Sequence, residues 1–124
     1  MSQKTKPEID FPEGPAPKEL EITDIEVGTG AEAKAGDMVE VHYAGVTFET
    51  GEEFDASWNR GQTFKFPLGK GRVIKGWDEG VQGMKVGGRR KLVIPAHKAY
   101  GNQSPSPLIP AGSTLIFVVD LINV

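Results

Sequence analysis

A chain of 124 residues with no cysteine has room for one hydrophobic core but not two comfortable ones, and it excludes disulfides, thiolate nucleophiles and cysteine-based metal sites. Its net charge of -3 argues against general nucleic-acid binding, which needs a surplus of Lys and Arg to neutralise phosphates. With 38% hydrophobic and 25% charged residues the composition is that of a folded soluble domain, and 16 Gly with 9 Pro favours turns and short strands over long helices.

In chain order, residues 1–18 scatter Pro7, Pro12, Pro15 and Pro17 among Lys, Glu and Ser. Such a stretch buries too little to offset its ordering entropy, so a flexible tail is expected ahead of a domain spanning 19–124. Ile9 and Phe11 are the large hydrophobes available there to pack back on the domain. The chain starts without an apolar signal region, and no stretch approaches about 18 apolar residues. A cytoplasmic protein that makes no use of a membrane is expected.

Leu20, Ile22 and Ile25 predict an extended stretch ending at Gly28-Thr29-Gly30. From Met38 to Phe48 polarity alternates, with Val39, Val41 and Tyr43 on one face and Glu40 and His42 on the other, which predicts a half-buried strand. Glu49 to Glu52 reads as a turn before Phe54, and Phe64-Lys65-Phe66 alternates again before Pro67. Between Ile74 and Met84 the period lengthens, and Trp77, Val81 and Met84 fall on one stripe of a short amphipathic helix ended by Gly87-Gly88. Gly80 and Gly83 each weaken such a helix by about 1 kcal/mol relative to alanine, so it has to lean on the sheet. Arg89 to Ile94 predicts a strand with Leu92 and Ile94 inward, stopped by Pro95. Thr114 to Val124 is a near-continuous apolar run, the mark of a central strand covered on both sides. The sum is an α+β domain of antiparallel strands with one helix packed across them.

Familiar catalytic patterns are absent: there is no G-x-S-x-G and no H-E-x-x-H, and His42 and His97 stand alone. Gly69-Lys70-Gly71-Arg72 lacks the Ser or Thr that a phosphate loop places after its lysine, and the basic run from Lys85 to Lys91 reads as a solvated strand face. What stands out is a set of rings, Tyr43, Phe54, Phe64, Phe66, Trp77, Tyr100 and Phe117. Taken singly each is a core residue; taken together they are also compatible with a shallow aromatic cup, and both readings stay open at this point.

The order of segments adds to this. VHYAG from Val41, the long block from Phe54 to Pro95 containing FDAS, LGKGRVIKGWDEG and MKVG, and AYGNQSPSPLIP from Ala99 together resemble the FKBP-type prolyl isomerases, over about Leu20 to Val124. The resemblance implies a curved antiparallel sheet of five to six strands wrapped around one short helix, and peptidyl-prolyl cis-trans isomerase activity without cofactor or metal. Carried over residue by residue, it makes Trp77 the floor beneath a proline ring, Tyr43, Phe54, Phe64 and Phe117 the walls, and Val73 and Ile74 the rim. The Ile74 backbone N–H and the Tyr100 hydroxyl are implied donors to substrate carbonyls. Asp55 is an implied acceptor held by Arg60 and Tyr43, and Leu108 and Ile109 close one side on a flap. Tyr43, Phe54, Asp55, Trp77, Tyr100 and Phe117 form the implied catalytic set.

The implied partners are proline-containing peptides or proteins, with the macrolides tacrolimus and rapamycin as inhibitors, acting on a monomer. The alternative is a non-catalytic module that binds proline peptides or macrolides and acts through a protein partner. Two stretches depart from the resemblance: Ser104-Pro105-Ser106-Pro107-Leu108 replaces the commoner flap pattern, and Trp58 stands where polar residues are frequent.

Overall fold

Alternating polarity from Met38 becomes strand β2 (Met38–Thr47). Its side chains Val39, Val41 and Tyr43 are buried, while Glu40 and His42 on the other face are half-buried, the period of two that a pleated strand imposes. The computed structural model describes residues 5–9 and 14–124. Within them β2 joins β1 (Glu21–Glu26), β3 (Glu53–Ala56), β4 (Phe64–Pro67), β5 (Arg89–Ile94) and β6 (Leu115–Asn123) in one six-stranded sheet, every pairing antiparallel. The order is β1-β5-β6-β2-β3, and β4 shares the outer edge of β2 with β3. β4 lies against Met38 to Val41 and β3 against Ala44 to Val46.

The apolar run at the C-terminal end is β6, central between β5 and β2 and buried from Leu115 to Leu121. Leu115, Phe117, Val119 and Leu121 face the main core. Ile116 faces the other way, between its register partners Val46 and Val93, and is covered there by Ile9 and Phe48. The run from Leu115 to Val119, apolar at every position, is thus stable because each face has its own cover. Phe11, the other hydrophobe of the leading segment, lies outside the described residues.

Two helical details depart from the sequence reading. The helix under the sheet, α2, runs only from Lys75 to Gly80, not on to Gly87-Gly88. Trp77, Val81 and Met84 are all buried, so the apolar stripe holds, but Gly83 turns the chain with φ +88° before Met84, a conformation that ends a right-handed helix. A second helical turn, α1 (Ser57–Arg60), follows β3 directly; four residues are too few to show any periodicity. Its Trp58 stacks on His42 with ring centroids 4.1 Å apart and planes 16° off parallel, which gives the unexpected aromatic a partner on the outer face of β2.

The glycines of α2 are packing devices. A Cβ on Gly76 would meet Ile94 Cγ2 at 2.5 Å, and one on Gly80 would meet Leu92 Cδ2 at 2.7 Å. The helix therefore lies hard against β5, which offsets its poor intrinsic propensity. Gly80→Ala is expected to destabilise the fold by about 1–3 kcal/mol through overpacking, against the roughly 1 kcal/mol gain that helix propensity alone gives. Urea denaturation decides the sign, and a stabilised variant would rule out the close-packing account.

Candidate active site

Between α2 and the inner face of the sheet lies a hollow of about 260 Å³ lined by Tyr43, Phe54, Asp55, Phe64, Arg72, Val73, Ile74, Trp77, Tyr100 and Phe117. Trp77, from the middle of α2, is 5% exposed and forms its base. Tyr43 and Phe117 meet the indole edge-on, with centroids 5.0 and 5.1 Å away, and Phe66 supports it at 5.5 Å from the core side. Such T-shaped contacts fix ring orientation as well as burying area. The indole Nε1 is buried and has no hydrogen-bond partner among the described residues, so the floor is apolar in effect.

Each wall has a local cause. Tyr43 and Phe117 point inward by strand alternation on β2 and β6. Phe54 packs edge-on against Phe117 at 5.4 Å, and both rings pass over Gly45, where a Cβ would approach each of them to 2.7 Å. Gly45 is thus the glycine of the VHYAG motif because two pocket rings occupy the space of its side chain. Phe54 and Asp55 are consecutive yet both line the hollow; β3 is an edge strand whose register with β2 shifts between Gly45 and Val46, and such irregularities re-aim side chains. Phe64 follows two residues before Phe66 on β4, stacked on it at 5.6 Å.

One polar cluster stands on the wall. Asp55 accepts the Tyr43 hydroxyl through Oδ2 at 2.6 Å and Arg60 Nη1 through Oδ1 at 2.6 Å, and Arg60 Nη2 donates to the Tyr43 oxygen at 2.9 Å. Burial acts to raise the Asp55 carboxyl, but the hydrogen bonds from Tyr43 and Arg60 outweigh it and hold the group below the ordinary 3.8. Burial, reinforced by the Asp55 hydrogen bond, pushes the Tyr43 phenol up, and burial does the same for Tyr100. Both hydroxyls therefore keep their protons at neutral pH. The Tyr100 hydroxyl and the Ile74 N–H have no hydrogen-bond partner among the described residues, leaving two donors at the rim for a ligand.

Ten of the twelve residues singled out in the sequence thus come together: nine in the lining, and Arg60 behind Asp55. Leu108 and Ile109 do not join the lining. Leu108 is 44% exposed, whereas Ile109 is 5% exposed and belongs to the main core. The flap they sit on is a tight turn in which Ser104 Oγ donates to the carbonyls of Ser106 and Ile109, and the Ile109 N–H donates to Ser106 O at 3.0 Å. The serines of the Ser-Pro-Ser-Pro segment supply that turn's hydrogen bonds.

Three contributors escaped the sequence reading. Arg72 lines the hollow. Asp78 on α2 accepts the N–H groups of Gly69 and Gly71 at 2.8 and 2.9 Å, latching the loop that leads to Val73 and Ile74 onto the helix that carries Trp77. Ser57, fully buried, accepts the Tyr43 N–H at 2.7 Å and ties α1 to β2. All three stand inside the motif segments FDAS and LGKGRVIKGWDEG, which was the available signal; their individual roles depend on neighbours that only the fold brings together.

The depressed Asp55 carboxyl sets a sign for pH dependence. A group whose folded pKa lies below its unfolded value stabilises the fold above the unfolded pKa, and loses that contribution as pH falls through the folded one. Asp55→Asn is therefore expected to be less stable than the parent near neutrality, with the gap closing below 3.8. Paired urea titrations across that range test this; a gap that stays constant down to about pH 2 would mean the carboxylate is not the source.

Residues 30–122 match the family described as FKBP-type peptidyl-prolyl cis-trans isomerase. The "FK506-binding protein" of Streptomyces anulatus is 62% identical over 120 residues, 96% of this chain and 97% of that protein. The "Probable FK506-binding protein" of Corynebacterium glutamicum is 60% identical over 119 residues, covering 95% of this chain and 98% of its own length. The crystal structure of AtFKBP13 superposes with a TM-score of 0.76 at 41% identity, over 87% of this chain and 94% of that one. An aromatic hollow built from the motif residues, inside a sheet and helix of this topology, goes with those likenesses along the whole domain: the chain belongs to the FKBP-type peptidyl-prolyl cis-trans isomerases.

Proposed function

We propose that the hollow takes the proline ring of an Xaa-Pro segment over Trp77 and lowers the barrier to rotation chiefly by removing the amide from water. An Xaa-Pro amide rotates over about 18–20 kcal/mol because the planar form is conjugated, while cis and trans differ by only about 0.5–1 kcal/mol. At the twisted geometry the amide loses its charge-separated resonance form. An apolar cavity therefore penalises the planar ground state more than the transition state, which is the differential binding that catalysis requires.

The observation that carries this reading is the enclosure of Trp77 by the rings of Tyr43, Phe64, Phe66 and Phe117, all within 6.0 Å of it centroid to centroid. Asp55, with each oxygen already accepting one bond from Tyr43 or Arg60, acts as an oriented wall group and not as an acid or base. Donors on the rotating carbonyl itself would favour its planar form. The Ile74 N–H and Tyr100 hydroxyl are therefore assigned to carbonyls flanking the Xaa-Pro bond, where they hold the peptide in register. The working unit is read as a monomer.

A hollow of about 260 Å³ falls below the roughly 300–1,000 Å³ of sites that enclose a drug-sized ligand. A macrolide such as tacrolimus or rapamycin would then seat one ring in it and spread across the rim, with proline peptides and macrolides competing for the same floor.

Exchange spectroscopy or a protease-coupled assay on an Xaa-Pro peptide tests the reading. Trp77→Ala and Phe117→Ala are each expected to lower kcat/KM by more than about tenfold, where each tenfold is ~1.4 kcal/mol of transition-state stabilisation, and Asp55→Asn by less. Equal and complete loss in all three would point to a charge-based mechanism. A parent protein that binds the peptide without speeding exchange would instead support a binding module.

A further inference from the structure

The pocket wall formed by β3 and α1 is the least supported part of the site. Among the described residues, β3 has four residues and pairs only with β2, with a register shift at Val46, and α1 is a single turn with no side-chain cap. Short edge elements with few ladder bonds open at low free energy. Yet residues 53–60 carry Phe54, Asp55 and Arg60. On the inner side they are held by Ser57 and the Tyr43–Asp55 bond. On the outer side they are held by the leading segment of the chain.

Lys6 Nζ lies 2.7 Å from Glu53 Oε1 and donates to Asn59 Oδ1 at 2.9 Å, while Asn59 Nδ2 donates to Glu53 Oε2 at 3.0 Å. The three side chains close a triangle across the two ends of the segment, and the bridged residues are the immediate neighbours of Phe54 and Arg60. The segment that bears Lys6 is itself anchored at both ends. The Thr5 carbonyl accepts Arg89 Nη2 at 2.7 Å, on a guanidinium held by the fully buried Asp120, and Ile9 packs into the Val46, Val93 and Ile116 cluster.

We propose that Thr5–Ile9 is a strap across the outer face of the sheet, and that Lys6 is a positioning residue that sets the Phe54, Asp55 and Arg60 wall of the hollow from behind. The reading of the hollow as an isomerase site is presupposed. Among the described residues the strap's polar triangle joins only Lys6, Glu53 and Asn59 and does not include Trp77, the floor on α2, so the strap governs how well the peptide is held more than how fast the bond turns.

The test uses the full chain with Lys6→Ala and Lys6→Arg. In Lys6→Ala the amide resonances of Phe54, Asp55 and Arg60 and the Trp58 indole signal shift, those of β5 and β6 stay put, KM for an Xaa-Pro peptide rises about two- to fivefold, and kcat stays within about twofold, on the scale of an exposed ion pair. Lys6→Arg restores both spectrum and KM. Unmoved resonances over residues 53–60, shifts spread equally through β5 and β6, or failure of arginine to rescue would each overturn the proposal. Absence of isomerase activity in the parent protein would sink the functional reading instead, and the resonance shifts would still judge the strap.

Discussion

Everything at the site is referred to the contact between α2 and β5, where Gly76 and Gly80 let a six-residue helix lie directly on Ile94 and Leu92. A helix that short has no independent stability in water. Its position is dictated by the sheet, and the closeness of the approach decides how deep Trp77 sits. Lifted by the thickness of a methyl group, the indole would lose its edge contacts with Tyr43 and Phe117, at 5.0 and 5.1 Å, and the hollow would lose its fixed floor. Asp78 then extends the constraint outward, because its carboxylate fixes the Gly69 to Gly71 loop to the same helix. The rim at Val73 and Ile74 is thereby placed by the element that carries the floor.

The polar cluster solves a different problem. An ionised carboxylate on the wall of an apolar cavity is costly unless its charge is matched. Tyr43 and Arg60 meet both oxygens of Asp55, and the Arg60 guanidinium also lies over the Tyr43 ring, 5.8 Å from its centroid. The hollow keeps one acceptor face without an unpaired charge. On the proposed reading, this is why the pocket can discriminate between a planar and a twisted amide by polarity.

Much of this was legible in the sequence wherever a period or a motif was long enough to carry information. The alternation from Met38 to Tyr43 in β2, the apolar run in β6 and the Trp77, Val81, Met84 stripe each correspond to an element with the expected buried face. The motif residues located the rings of the hollow. What was not legible depended on three-dimensional neighbours. α1 is too short to show a period, and α2 stops at Gly80, ahead of the left-handed turn at Gly83 and well short of the later glycine pair. Ile109 was carried to the pocket by its motif, but the serine-bonded turn at Ser104 to Ser106 draws it into the core. Lys6 sits among prolines and polar residues, and its partners Glu53 and Asn59 lie far along the chain.

The two faces of β6 bring these threads together. Its inner residues, Leu115, Phe117, Val119 and Leu121, build the core and one wall of the hollow; its outer residues, Ile116 and Asp120, receive the leading segment of the chain through Ile9 and through Arg89 to the Thr5 carbonyl. Asp120 is fully buried, and Arg89 meets it with two nitrogens, Nε at 2.6 Å and Nη2 at 3.1 Å. A buried carboxylate of this kind contributes little net stability, but removing its partner leaves an uncompensated charge. Its consequence is geometric: a guanidinium fixed in one orientation presents one donor to the passing backbone at Thr5, and so aligns the segment whose next residue reaches β3. The strand that forms the pocket's back wall is in this way also the reference against which its weakest wall is set.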